Sequence, residues 1–355
     1  MSDSHFDFLI VGSGLAGAIL AHHLHGMNKK VAIVHSPEMH SSSKVAAGLY
    51  NPITGRKMVK TWRANDLFPY LEGYYKKFEA VAKCHCLNDL PMYRPFLSLE
   101  EQNEWQGRSA ENDFDPFIQE IALNNKHLHV NGEFGGLTLN KTGFLSVPAF
   151  LESMLDYLSA AGVKLLEDVF DFEALTHASL TPRYKSFNCD KISFCDGSDT
   201  VKSPYFNWLP ISQEKGEILE IGADLPSDII INRGVFVIPL GNGRFKVGST
   251  YNNREINWTA SEDGKKQIIH KLKELINVNF SVEKHYAGVR PATRDRKPFI
   301  GMHPKYKNVG IFNGLGAKGV SLSPYFANQF AHHLVNQSEL DHEVAIDRFF
   351  KFYEA

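Results

Sequence analysis

At 355 residues the chain is too long for one minimal core and short for three domains, so one large or two intimate domains are expected. Hydrophobic residues make up 43% and charged residues 22%, ordinary values for a globular chain, and no low-complexity tract argues for disorder. A formal net charge of -2 excludes any argument from bulk electrostatics for a nucleic acid or an anionic membrane as partner.

The leader carries Asp3 and no basic residue before the first apolar run at Phe6, which leaves no room for a signal peptide. Nothing approaches the roughly 20 apolar residues that span a bilayer. Cys84, Cys86, Cys189 and Cys195 lack the spacing of a zinc ribbon and are too sparse for a disulfide scaffold, so they read as free thiols. A reducing cytoplasm is the expected location.

The run Phe6–Val11 is a short apolar strand that stops at Gly12-Ser13-Gly14-Leu15-Ala16-Gly17, after which Ala18 to Leu24 has helical composition. Strand, glycine turn and helix in that order predict a nucleotide-binding βαβ unit. Gly12 permits the tight turn, Gly14 lets backbone approach a pyrophosphate at the helix amino terminus, and Gly17 lets helix and strand pack closely. The second strand, Val31–Val34, follows at the right distance. At its end, where Asp or Glu usually grips the adenosine ribose, stands His35. An imidazole hydrogen bond from His35, the Ser36 hydroxyl, or Glu38 reaching back are the alternatives.

Ser41 to Pro52 then places small and hydroxyl-bearing residues, Ser42, Ser43, Ala46, Ala47, Gly48 and Leu49 among them, where a flavin ring needs close backbone approach. Such a loop suits FAD better than NAD. On these residues the chain resembles the D-amino-acid oxidase superfamily, particularly its glycine oxidase and sarcosine oxidase branch.

The resemblance continues. Gly143–Pro148, a helix to about Ala160 and a strand around Val163 to Val169 are similar to the family's next nucleotide-domain segment, which places the Val169 backbone by the adenine. Lys191–Phe194 followed by Cys195-Asp196-Gly197 resembles the strand and turn under the pyrophosphate. The family usually has a small residue and Gly-Ala-Trp there, and Asp196 would repel phosphate unless turned away. Lys215-Gly216-Glu217 resembles the start of the substrate-domain sheet, and Val235–Pro239 with Gly243–Thr250 reads as two strands joined by a glycine turn. The most specific stretch runs from Gly288-Val289-Arg290 through Arg294-Asp295-Arg296-Lys297-Pro298 to Asn313-Gly314-Leu315-Gly316-Ala317-Lys318-Gly319. It resembles the carboxy-terminal signature: a substrate-facing Arg, a strand, and a glycine-rich loop entering a helix beneath the flavin.

What the resemblance implies is an α/β fold, α+β overall: a Rossmann-like FAD domain of residues 1–78, 141–210 and 286–355, interleaved with a largely antiparallel substrate domain of 79–140 and 211–285. FAD is the implied cofactor, and the implied reaction moves a hydride equivalent from the α-carbon of a small amine or amino acid to the flavin, leaving an imine that water hydrolyses. Oxygen or a separate acceptor takes the electrons. Arg290 is expected to grip a substrate carboxylate with its guanidinium fork, although a structural role like that of Arg294 or Arg296 is the plainer reading. Lys318 either adds positive charge beside the flavin or points to solvent. Members that bind flavin covalently use a cysteine where this chain has Gly288, so attachment is expected to be non-covalent.

Gly55 to Arg63 is a basic cluster with an aromatic, either a solvated face or a greeting for an anionic substrate. With Gly288-x-Arg290 and Arg294-Asp295-x-x-Pro298 it keeps a second resemblance open, to the oxidase half of the bacterial tRNA wobble-uridine modifying enzymes, whose substrate amine sits on tRNA. A third reading is a flavin-binding redox protein without turnover, which a cavity plugged by Trp62 or Tyr251 would favour. Sixteen histidines show no ligand spacing, so no metal is expected.

Overall fold

The computed structural model of the chain describes residues 4–353 apart from 56, 110, 112 and 177–179. Five strands form a parallel sheet in the order Lys164–Glu167, Val31–His35, Ser4–Val11, Phe187–Phe194 and Val309–Asn313. Strands buried on both faces read as continuous apolar runs rather than alternating ones, as Phe8 to Val11 and Val31 to Val34 do. Phe8, Ile10 and Ile33 face the helices Leu15–Gly26, Val147–Ala160 and Gly319–Asn336. Phe6, Leu9, Val11 and Val34 face the opposite way, against Phe194, Ile311 and Phe299.

The second sheet has eight strands in the order Phe280–Thr293, Ile211–Ala223, Arg244–Gly248, Val235–Gly241, Ile230–Arg233, Met92–Pro95, Gly136–Leu139 and Ile118–Ala122. Every neighbouring pair is antiparallel except Met92–Pro95 with Ile230–Arg233. The expected glycine-turn hairpin is present, with Asn242 at φ 54° and Gly243 at φ 68°. Two successive positive φ values match the right-handed twist of the flanking strands. The helix Glu262–Leu275, capped by the Ser261 hydroxyl, packs Ile268 and Leu272 onto Leu219, Val237 and Val247.

One expected segment limit falls inside a strand, and one strand pairs with the other layer from the one expected. Phe280–Thr293 is one unbroken strand paired along its length with Ile211–Ala223, so the limit at 286 cuts through it. Leu87–Asp89, expected with the substrate segments, pairs instead with Gly143–Leu145, which in turn pairs with Leu49–Tyr50 of the flavin loop. Both departures arise because hydrogen-bonded ladders, invisible in a linear pattern, decide to which layer a segment belongs.

One detail fixes the carboxy-terminal helix. Pro324 lies inside Gly319–Asn336 and has no N–H to donate to the carbonyl four residues earlier. That carbonyl belongs to Val320, and the buried Tyr75 hydroxyl donates to it at 2.9 Å. The helix Ala64–Ala82 thereby holds the last helix in place across their interface.

Candidate active site

A cavity of about 1880 Å³ lies between the two sheets. Single-ligand pockets usually span roughly 300–1,000 Å³, so this one has room for a cofactor and a substrate together. No helix among the described residues is long and apolar enough to cross a membrane, and no group of three or more metal-ligating side chains is found among them.

The glycine turn forms one end. Gly12 has φ +101°, and a Cβ there would lie 2.5 Å from the Cys195 carbonyl oxygen. Gly14 caps the helix Leu15–Gly26 and, having no side chain, makes no capping bond itself. Ser13 to Ala16 line the cavity. Gly17 does not, and a Cβ on it would lie 1.9 Å from the Gly12 carbonyl oxygen, so its role is the expected close packing. Ser43 accepts from the Leu15 N–H at 3.3 Å, joining the flavin loop to this helix end. Ser36, Ser42, Ala46, Ala47, Gly48 and Leu49 line the same space.

At the end of the second strand His35 also lines the cavity, and its Nε2 is buried without a hydrogen-bond partner. Burial holds the imidazole below its ordinary pKa against the pull of Glu167, so a neutral ring presents an unsatisfied nitrogen. Such a nitrogen suits a ribose hydroxyl. Glu38, the other charged alternative, is not part of the wall. Val169 lines the cavity beside Phe170 and Phe172, two aromatics that the sequence reading did not single out.

Cys195, Asp196 and Gly197 line the cavity wall. Asp196 is turned inward: its Oδ1 accepts from the Thr200 hydroxyl and, at 3.2 Å, from Asn313 Nδ2, while Oδ2 has no partner. Burial pushes the carboxyl up to about 7, with Asp199 adding to the rise and the two donors opposing it. A carboxyl that holds its proton near neutral pH repels a neighbouring phosphate far less than an ionised one. Asn313 also donates to the Gly197 carbonyl at 2.9 Å, and its own Oδ1 accepts from the Gly314 N–H. This one side chain ties the pyrophosphate turn to the carboxy-terminal glycine loop.

Gly314 to Gly319 line the cavity and lead into the last helix. Lys318 is half-buried there, and burial together with Arg296 lowers its pKa. Gly288 departs from expectation. It lies outside the cavity wall, and a Cβ on it would meet Val45 Cβ at 3.4 Å. The short helix Ser42–Val45 stands between that position and the cavity.

Arg290, on the strand Phe280–Thr293, lines the cavity at the antiparallel sheet. Its Nη2 donates to Ser249 Oγ at 2.8 Å, its Nη1 to the Thr250 carbonyl at 3.4 Å, and Glu214 lies 3.6 Å away. The Tyr251 ring covers the guanidinium at 4.7 Å. A Cβ on Gly216 would collide with that guanidinium at 2.0 Å, so the glycine makes the space in which the fork lies. The loop behind Ser249 is anchored by a buried cluster. Glu217 accepts from the Ser261 N–H and hydroxyl at 2.9 and 2.7 Å, and Lys215 lies 3.3 Å from it while donating to Asn257. Burial alone would raise the Glu217 carboxyl, but Ser261 and Lys215 outweigh it and hold it low. Trp258 of this loop stacks on His40 of the flavin loop at 5.1 Å and 11°.

The basic cluster is mostly engaged elsewhere. Lys60 pairs with Asp113 and Arg63 with Asp66 and Asp341, while Arg56 lies outside the described residues. Trp62 stacks on Phe326, donates to Glu343 and stays out of the cavity.

The family described as "DAO: FAD dependent oxidoreductase" matches residues 7–333. The chain belongs to this family. It is an FAD-dependent oxidoreductase, and the residues above fit the cofactor: a helix end opening on a glycine at the cavity wall, a turn that admits no Cβ and an orphaned His35 nitrogen. It is 22% identical over 371 residues to glycine oxidase of Bacillus subtilis, covering 97% of this chain and 98% of that protein. Among solved structures, glycine oxidase from Geobacillus kaustophilus superposes with a TM-score of 0.77 at 18% identity, covering 98% of each chain. Iminodiacetate oxidase from Chelativorans gives a TM-score of 0.78 at 17% identity, covering 96% of this chain and 98% of that one.

Two outcomes are expected. Gly14→Val leaves a folded protein that retains no FAD, since its Cβ meets the Ser43 hydroxyl at 3.1 Å and otherwise only ordinary contacts, whereas Gly17→Val destabilises the fold itself; bound-flavin absorbance and a thermal melt separate the two. For Asp196 the folded pKa lies above the ordinary carboxyl value of about 3.9, so the folded state keeps a proton that the unfolded chain releases. The stability of the FAD-free protein therefore falls as pH rises from about 4 to about 7 and levels off above. Asp196→Asn should flatten that slope and melt higher at pH 8; an unchanged slope would place the titration elsewhere.

Proposed function

We propose that the protein oxidises a small amino acid or secondary amine whose carboxylate is held by Arg290. The observation that carries this reading is the half-buried guanidinium, fixed by Ser249 and Thr250 over Gly216 at the cavity wall. A planar fork of donors matches a carboxylate bidentately, and preformed contacts leave little orientation to be lost on binding. Glu214, at 3.6 Å, offsets part of the charge in the free protein and is itself half-exposed. The names of the relatives, glycine oxidase and iminodiacetate oxidase, belong to the same chemical class of substrate.

FAD, when bound, takes up the hydride equivalent from the carbon beside the nitrogen, and its electrons pass on to oxygen or a separate acceptor. The chain's own part is positioning and electrostatics. Arg290 fixes the carboxylate end, and the wall of Ile218, Phe236 and Gly248 supplies an apolar surface beside it. The first turn of Gly319–Asn336 and Lys318 present positive charge to the other side of the cavity, where negative charge grows during reduction. Gly288 and the intervening Ser42–Val45 helix support a non-covalent cofactor, since neither offers a thiol.

A substrate amine carried on tRNA has weaker support, because Lys60 and Arg63 are taken up by acidic partners within the chain. Of the two side chains whose plugging of the cavity would favour a redox protein without turnover, Trp62 lies outside it, while Tyr251 lines it over Arg290 and is 63% exposed.

Arg290→Leu should keep FAD and lose most anaerobic flavin reduction by small amino acids. Removing a desolvated charged partner costs on the order of 2–5 kcal/mol, roughly a 30- to several-thousand-fold fall in kcat/KM. Reduction by the variant at the wild-type rate would mean that no carboxylate is held there.

A further inference from the structure

The cavity continues past Arg290 to a second cationic wall. Arg94 is 4% exposed; its Nη1 donates to the Ile53 carbonyl and its Nη2 to the Gly55 carbonyl, each at 3.0 Å, and its Nε has no partner. Arg233, on the neighbouring strand end, donates through Nη2 to both carboxylate oxygens of Glu101 at 3.0 Å and lies 3.7 Å from Met58 Sδ. Both arginines line the cavity. Burial and the like charge of Arg233 lower the Arg94 pKa to about 10, and Glu101 is the opposing charge. Two guanidiniums thus share one carboxylate. The two neutral carbonyls accept from Arg94's Nη groups but do not cancel its charge, and a surplus buried charge is costly unless a counter-ion meets it.

Sheet register gives the spacing. Gly248, Phe236 and Asn232 sit in one cross-strand row, each lining the cavity. Arg290 rests on Ser249 at one end of that row, and Arg233 follows Asn232 at the other. Two strand spacings of about 4.8 Å separate those ends, on the order of 10 Å, with Phe236 and Ile218 forming an apolar middle.

We propose that Arg94 and Arg233 form a second anion subsite, so that the substrate is an elongated amino acid or secondary amine. It would carry a carboxylate at Arg290 and a second anionic group, carboxylate or phosphate, across an apolar linker. This rests on the proposed amine oxidation and specifies its substrate class. The three-charge cluster selects for the distal anion by leaving one positive charge uncompensated until that anion arrives.

The test uses FAD-loaded protein and anaerobic flavin reduction. N-(ω-carboxyalkyl)glycines of increasing length are compared with N-alkylglycines of equal length and with N-(ω-phosphonoalkyl)glycines. At the matching length the doubly anionic compound should show a KM lower than its alkyl counterpart by about tenfold or more, and the carboxy and phosphono arms identify the preferred anion. Glu101→Gln, which keeps an acceptor for the Leu97 N–H, should widen that ratio, because the surplus charge grows. A purely structural Arg94–Arg233–Glu101 cluster would give equal KM values along both series, or a Glu101→Gln variant that narrows the ratio, and either result overturns the subsite. If no amine reduces the flavin, amine oxidation fails separately, and unreactive α,ω-dicarboxylates against monocarboxylates, read by perturbation of flavin absorbance, still decide the subsite: tighter dicarboxylate binding at one length supports it and its absence overturns it.

Discussion

The architecture depends on backbone and side chains packed closer than any Cβ would allow. A Cβ on Gly17 would lie 1.9 Å from the Gly12 carbonyl oxygen, one on Gly48 would lie 1.8 Å from the Leu145 carbonyl oxygen, and one on Gly216 would lie 2.0 Å from the Arg290 guanidinium. The first contact seats the nucleotide helix against its strand. The second pins the flavin loop to the Gly143–Leu145 strand, reinforced by the Leu145 N–H donating to the Gly48 carbonyl. The third lays the Arg290 fork flat on the antiparallel sheet, where Ser249 and Thr250 hold it. Each is a steric requirement at an interior packed to near-crystalline density, where a methyl group cannot be absorbed by small shifts.

Charge is arranged along the cavity in the same way, by deciding which groups stay ionised. His35 is held below its ordinary pKa and Asp196 is raised toward neutrality by burial, so these two side chains add little charge beside the helix terminus. Toward the antiparallel sheet the cavity carries Arg290, Arg94 and Arg233, with Glu214 and Glu101 beside them. Asn313 bridges Asp196, Gly197 and Thr200, so the pyrophosphate turn and the loop entering the last helix move as one. The two faces of the cavity are joined by the His40–Trp258 stack.

Local chemistry was legible in the sequence wherever it is carried by consecutive residues. Gly12 to Gly17 announce a strand, turn and helix because the φ and packing demands of a phosphate turn fall within six positions, and the glycine loop Gly314 to Gly319 is as compact. Most of the site residues named from those two runs line one cavity. Gly288 itself does not, because it faces Val45 across a contact that no local pattern encodes. Arg94, Glu101 and Arg233 were missed because they meet only after Met92–Pro95 pairs in parallel with Ile230–Arg233, a register set by the whole sheet. Lys215 and Glu217 were read as the start of a strand and not as a fully buried ion pair, since alternation predicts that one face of a strand is wet and here both are covered. Asp196 was expected to repel phosphate unless turned away, and it is turned inward, onto Thr200 and Asn313. Burial raises its pKa against the opposing Thr200 and Asn313 donors, the latter more than a hundred residues away, and sequence proximity cannot reveal that enclosure.

The central claim is that a carboxylate on the substrate, gripped by Arg290, aligns an amine for oxidation. The most direct measurement compares anaerobic flavin reduction by the best small amino acid with reduction by its own carboxamide, which keeps the amine and size but removes the negative charge. Losing a charge-assisted bidentate contact should slow the amide by about 30-fold or more in kcat/KM. An amide that reduces the flavin as fast as the acid would contradict it.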